Sequence, residues 1–189
     1  MAGVTEQLEL APALSRPDLL ADPVAKALEG LDAADQVQVA PIDPDLADTA
    51  AFCAHYGVGL EQSANCVVLA GRREGVDIFA ACLVLATTRA DVNGLARKHL
   101  GVRKLSFASM DRAVEATAMQ YGGITPIGLP AEWPILVDRA VVEAGNVVIG
   151  SGIRGSKLWL PGAVLAALPG AVVLEDLGRP VPPVETPAL

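Results

Sequence analysis

The stretch Tyr121-Gly-Gly-Ile-Thr-Pro-Ile-Gly128 has the residue types best suited to chemistry by the main chain. Pro126 fixes its own φ and biases Thr125 toward an extended shape, so the segment cannot continue a helix. Gly122 and Gly123 permit turns closed to other residues and let a ligand approach the backbone. N–H groups bared in such a turn bind carbonyls, oxyanions or phosphates. The expectation is a loop that walls an active site.

Other candidate motifs are less convincing. Gly150-Ser-Gly-Ile-Arg-Gly155 spells GxGxxG after a predicted strand, with Glu175 further on, as a dinucleotide site requires. That site also needs a helix opening within the glycines, and Pro161 would break such a helix early. A turn between two strands accounts for the same glycines. Cys53 and His55 stand two apart on a predicted helix and so face different ways. Cys66, Cys82 and His99 add no metal-ligand spacing, so neither metal nor cofactor is expected. No G-x-S-x-G is present. Cys66 and Cys82 read as buried strand residues rather than activated thiols. Glu115 and Asp138 have the chemistry of an acid or base, although Asp138 reads better as a cap or surface charge.

These residues need elements to hold them. Apolar spacing predicts a helix from about Pro17 to Gly30 and another from Asp43–Pro44 to a stop at Gly57. Asn65 to Ala70 and Asp77 to Leu85 read as strands joined by a turn containing Gly71 and Gly75. Asp91 caps a helix reaching His99, and a short strand near Lys104–Phe107 leads to a helix from Ser109 to about Met119. Trp133 to Val137 reads as an edge strand. Asn146–Gly150 and Lys157–Leu160 form a strand pair, Pro161–Leu168 a short helix and Ala171–Leu174 a last strand. Helices and short strands without strict alternation indicate a mixed α/β domain.

Composition sets further bounds. The 189 residues carry a net charge of −8 and are 52% hydrophobic, enough for one sizeable core. The first fifty residues hold ten acids and two bases, so the acidity belongs to the N-terminal quarter. Arg97, Lys98, Arg103 and Lys104 form a local basic run that can meet a polyanion. An aromatic content of 4% argues against a stacking platform for single-stranded nucleic acid. No basic-then-apolar leader and no long apolar run suggest export or a membrane span, and three unpatterned cysteines fit a reducing cytoplasm.

From about Asp43 to Leu177 the chain resembles the YbaK family, the prolyl-tRNA synthetase-associated editing domains. The resemblance is carried in order by Asn65-Cys-Val-Val-Leu, the Asp91–Leu100 helix, Tyr121–Gly128, Ile135-Leu-Val-Asp138 and Val148-Ile-Gly-Ser-Gly-Ile-Arg-Gly155. It implies a compact mixed β-sheet, barrel-like, surrounded by helices. It divides the chain into an acidic, partly helical N-terminal extension (1–34), the editing domain (35–177) and a Pro-rich tail (178–189). It also implies hydrolysis of the ester that joins a wrong, small amino acid to tRNA. The work is done by placement and main-chain donors rather than a side-chain nucleophile. The residues so implied are Asn65, Gly122 and Gly123 at the reacting ester. Ile124, Thr125, Pro126, Gly150, Ser151, Gly152 and Arg154 are implied around the aminoacyl group. Arg97, Lys98, Arg103 and Lys104 would lie on the tRNA. The partners are misacylated tRNA and a synthetase.

One departure stands out: many members carry a lysine where this chain has Asn65. Three readings follow. Asn65 itself donates to the substrate; a cation such as Arg73, Lys98 or Arg154 reaches the site instead; or catalysis is lost and a binding module remains.

Overall fold

The structure, a computed structural model, describes residues 8–181. Its strands are β1 (Ala11–Pro12), β2 (Gln38–Pro41), β3 (Ala64–Arg73), β4 (Val76–Leu85), β5 (Thr88–Ala90), β6 (Leu105–Phe107), β7 (Ile135–Asp138), β8 (Asn146–Gly150), β9 (Ser156–Pro161), β10 (Ala171–Leu174) and β11 (Gly178–Pro180). Its α-helices are α1 (Asp22–Glu29), α2 (Thr49–Tyr56), α3 (Arg97–His99), α4 (Met110–Thr117), α5 (Arg139–Glu143) and α6 (Gly162–Ala166).

β3 and β4 form the longest pair, an antiparallel hairpin turned by Glu74 and Gly75, both at positive φ. Gly71 lies within β3 rather than in the turn. The hairpin sits inside a five-stranded sheet ordered β10-β7-β4-β3-β6, and a second sheet runs β1-β2-β9-β8. A single parallel bridge, Ser63 to Val148, is where the two sheets meet. The mixed α/β core surrounded by helices is as expected; among the described residues its sheets pack without closing into a barrel. β7 is also not an edge strand: it lies parallel between β4 and β10. The misreading came from Pro134, but the strand begins after that residue, and the Pro134 carbonyl still accepts the Ala81 N–H.

The N-terminal segment is built into this core. β1 and β2 belong to the second sheet, and Val24 and Leu28 of α1 are fully buried beside Ile127, Ile149 and Leu158. The helix expected from Pro17 splits into a 3₁₀ turn, Pro17–Leu19, and α1. Pro23 is tolerated in a first helical turn, where no N–H is needed, and the Ala21 N–H is drawn off to the Ser151 carbonyl. At the other end, the first residues of the expected loose tail form β11 against β5, and the Gly178 N–H donates to Asp138 Oδ2. Asp138 is thus a buried staple rather than a surface charge. Residues 1–7 of the expected N-terminal extension and 182–189 of the expected Pro-rich tail lie outside the described residues.

Candidate active site

Where the sheets diverge from the Ser63–Val148 bridge they leave a cleft of about 450 Å³. One wall is the start of β3, residues 63–68; the other is the end of β8 with the turn at Tyr121 and Gly122. The residues before α2, Ala47 to Thr49, close one side. The β3 wall is a bare strand edge. β6 pairs only with Leu69 to Gly71, and the last bond on that side runs from Ala108 N–H to the Val68 carbonyl. Strand backbone alternates with period two. The Cys66 N–H and carbonyl therefore point the same way as those of Val68, into the cleft and beyond the end of β6.

Asn65 lines the cleft, and its Oδ1 accepts a hydrogen bond from Thr49 Oγ1 at 2.7 Å. That leaves the Nδ2 donor without a protein acceptor among the described residues. Thr49 is held by the N-terminus of α2, where the Asp48 carboxylate caps the amides of Ala50 and Ala51. Gly122, at φ 85°, and Ile124 face Asn65 across the same cleft.

Gly123 does a different job from the one its sequence suggests. Its N–H donates to the Gln120 carbonyl at 2.9 Å and its own carbonyl accepts the Gly152 N–H at 2.7 Å. The Gln120 N–H returns to the Gly152 carbonyl. The diglycine turn is thus zipped to the β8–β9 loop, so closely that a Cβ on Gly123 would stand 2.5 Å from the Ile153 carbonyl oxygen. The expectation that Gly123 offers a free amide is corrected: the amide is consumed in holding the wall.

Other expected contacts also sit behind the surface. Thr125 is fully buried, with an Oγ1 that finds no partner among the described residues, and Pro126 is buried beside it. Ser151 is buried too, sharing a 2.7 Å hydrogen bond with Ser156 Oγ, and Gly152 packs on Ala21 and Val24. Gly150 and Arg154 do line the cleft. The Arg154 guanidinium donates to the carbonyls of Pro44, at 2.9 Å, and Tyr121, at 3.3 Å, tying the Tyr121–Gly122 turn to the segment that precedes α2. No helix opens within residues 150–155, which connect the antiparallel strands β8 and β9. That geometry removes the dinucleotide reading.

The basic run lies outside the cleft. Arg97, Lys98, Arg103 and Lys104 occupy α3 and the loop entering β6, at the end of β6 away from Phe107. Arg73 lines a second, separate cleft with His99 and Trp133. Of the three cations considered as substitutes beside Asn65, only Arg154 is present.

Sequence reasoning missed two features. Lys157 of β9 lines the cleft at 9% exposure, directly opposite Gly150. Burial pulls its ammonium below the ordinary lysine range; nearby Cys53 and Asp48 oppose that shift, and Arg154 adds to it. The sequence signal for it is a lysine inside the apolar strand SKLWLP. The second feature is aromatic. Phe107 and Tyr121, 61% and 57% exposed, both line the cleft. The low aromatic content did not reveal that placement.

No side-chain nucleophile is poised here. Burial raises the Cys66 thiol strongly, with Cys82 adding to it, and pushes Cys82 up to about 12. Both stay protonated at neutral pH. The described residues contain no cluster of three metal-ligating side chains. What the cleft offers an ester is a strand-edge amide, an amide side chain and two cations.

The fold is shared with proteins of known structure. A proposed trans-editing enzyme for prolyl tRNA synthetase superposes with a TM-score of 0.70 at 24% identity, covering 84% of this chain and 96% of its own. The hypothetical protein APE2540 gives a TM-score of 0.72 at 20% identity, covering 84% of this chain and all of its own. The aminoacyl-tRNA editing domain matches residues 43–168. With more than half its length so matched, the chain belongs to the aminoacyl-tRNA editing domain family.

Proposed function

We propose that this protein hydrolyses, in trans, the ester bond of a misacylated tRNA carrying a small amino acid. The observation that carries the reading is the cleft itself. It sets the Asn65 donor and a bare β3 edge against the Gly122 turn, with no nucleophilic side chain between them. An aminoacyl ester is already reactive, so orienting a water and polarising the carbonyl suffices. A volume of about 450 Å³ accommodates a terminal aminoacyl-adenosine. Ile124 and Ala113 narrow it on one side, which favours a small side chain.

The rest of the substrate follows the charge. Arg154 at the mouth meets a phosphate of the unpaired tRNA end, and Phe107 and Tyr121 offer faces to its bases. Arg97, Lys98, Arg103 and Lys104 extend the path toward the acceptor arm. The described residues include no helix long and apolar enough to cross a membrane. A translation-editing role fits a cytoplasmic protein with a synthetase as a partner.

A deacylation screen over tRNAs charged with alanine, serine, cysteine, threonine and larger amino acids tests the reading. Turnover confined to one or two small amino acids is expected. Tight tRNA binding without turnover of any ester would leave the second reading, a binding module that kept the fold and lost catalysis with the family lysine.

A further inference from the structure

Asp138 and Lys157 are the only charged residues that are buried among those described. Asp138 is explained by its bond from Gly178. Lys157 is not. No carboxylate lies within ion-pairing distance of it among the described residues. Its Nζ donates to the Ala47 carbonyl at 3.0 Å and sits 5.5 Å from the centre of the Phe52 ring. An ammonium has three N–H donors, so that carbonyl accounts for one. The nearby Asp48 carboxylate is exposed, caps α2 through Oδ1 and favours the ammonium only from beyond ion-pairing distance. The nearby Cys53 thiol is raised by burial and stays neutral. Arg154, also nearby, is a like charge.

A buried charge without a partner is costly, and an apolar side chain of similar volume would serve packing better. The position is explained if the partner arrives with the substrate. Lys157 pairs with Gly150 across the β8–β9 ladder, and both line the cleft; the carbonyls of Gly123 and Ile124 fill the room a Gly150 side chain would take. A low-dielectric, preorganised cation stabilises developing negative charge far better than one in water. Arg154, half-buried at the mouth, is placed for a phosphate; Lys157 is the more deeply buried of the two.

We infer that Lys157 is a catalytic residue whose ammonium donates to the ester carbonyl oxygen as that oxygen becomes an oxyanion. The charge comes from β9 while Asn65 on β3 stays neutral. The inference rests on the deacylase reading. Water adds to the carbonyl carbon and loses one proton to solvent water, which later returns a proton to the leaving ribose oxygen, and the π electron pair moves onto the oxygen held by Lys157. When the carbonyl re-forms, the bond to the ribose oxygen breaks and that oxygen takes a proton. The products are the free amino acid and tRNA with its terminal hydroxyl restored. Lys157 remains charged throughout.

Single-turnover deacylation by wild type, Lys157→Met and the double variant Asn65→Lys/Lys157→Met tests this. Lys157→Met lowers kcat about 100-fold or more, the scale of losing one oxyanion donor, with KM within about threefold and folding intact by thermal melting. The double variant recovers at least about tenfold, because the charge returns from β3. Wild-type kcat also falls on the alkaline side, below the ordinary lysine range, as the ammonium loses its proton; the groups facing it are Cys53, Asp48 and Arg154. A folded Lys157→Met retaining kcat within about threefold overturns the inference and leaves the deacylase reading intact. If the variant does not fold, a flat wild-type alkaline profile overturns it equally. Absence of wild-type turnover on every charged tRNA removes both.

Discussion

The Thr49 hydroxyl donates to the Asn65 amide oxygen at 2.7 Å, so the side of Asn65 left for a ligand is its Nδ2 donor. A neutral donor there suits a carbonyl, and an acceptor would repel it. Asn65→Asp keeps the acceptor for Thr49 but removes the donor and adds a negative charge. Its kcat/KM falls by about tenfold or more, while Thr49→Val, which loses one neutral hydrogen bond worth about 1 kcal/mol, falls only about fivefold. Steady-state deacylation of the two variants side by side checks the order; equal losses would mean the orientation of the amide is irrelevant.

Leu28 lies outside the family-matched residues 43–168 yet is fully buried in the main core. Leu28→Ala is therefore expected to cost about 2–5 kcal/mol, as a core truncation does. Urea unfolding monitored by circular dichroism measures it. A loss below about 1 kcal/mol would show that α1 is a loosely attached addition.

Lys157 gives stability a definite pH dependence. Its folded-state ammonium lies below the ordinary value of 10.5. Between the folded and unfolded values the unfolded chain binds more protons, so stability rises with pH through that window. Below the window the burial penalty is present in full, and above 10.5 it is gone. Lys157→Met lacks this increment. Its stability advantage over wild type in urea melts is expected to shrink between pH 7 and pH 10, and a constant difference would contradict the burial of the charge.

Phe107 and Tyr121 flank the mouth of the cleft and bury little of themselves. Stacking one unpaired base on such a ring is worth about 1–3 kcal/mol. Replacing both with alanine is expected to weaken binding of a short single-stranded RNA ending in CCA by about tenfold or more. Binding of an abasic strand of equal length stays unchanged. Fluorescence anisotropy reads both, and equal effects on the two strands would assign the rings to something other than bases.

Much of the architecture was legible because it depends on local signals. Ala171–Leu174 matches its strand residue for residue, and Asp91 caps the helical turn it was expected to cap. What escaped depends on partners distant in sequence. Pro134 suggested an edge, but the strand order that makes β7 internal comes from pairing with β4 and β10. The acidity of the first fifty residues suggested an appendage, whereas the sparse apolar positions Val24 and Leu28 carry its burial. At the candidate site, Tyr121, Gly122 and Ile124 of YGGITPIG line one wall of the cleft. Which glycine faces the cleft was set by the hydrogen bond from Gly152 to Gly123, 29 residues apart, which no local pattern encodes. Lys157 escaped because its meaning lies in what does not surround it.

The central claim is that the substrate ester lies in the cleft between the bare β3 edge and the Gly122 turn. Amide chemical-shift mapping by NMR, titrating a non-hydrolysable amide-linked 3′-aminoacyl-adenosine, addresses it most directly. The largest shifts are expected at Cys66, Gly122 and Gly150, with the Cys66 amide moving downfield as it gains an acceptor. Shifts confined to the second cleft around His99 and Trp133, with Cys66 unmoved, would contradict it.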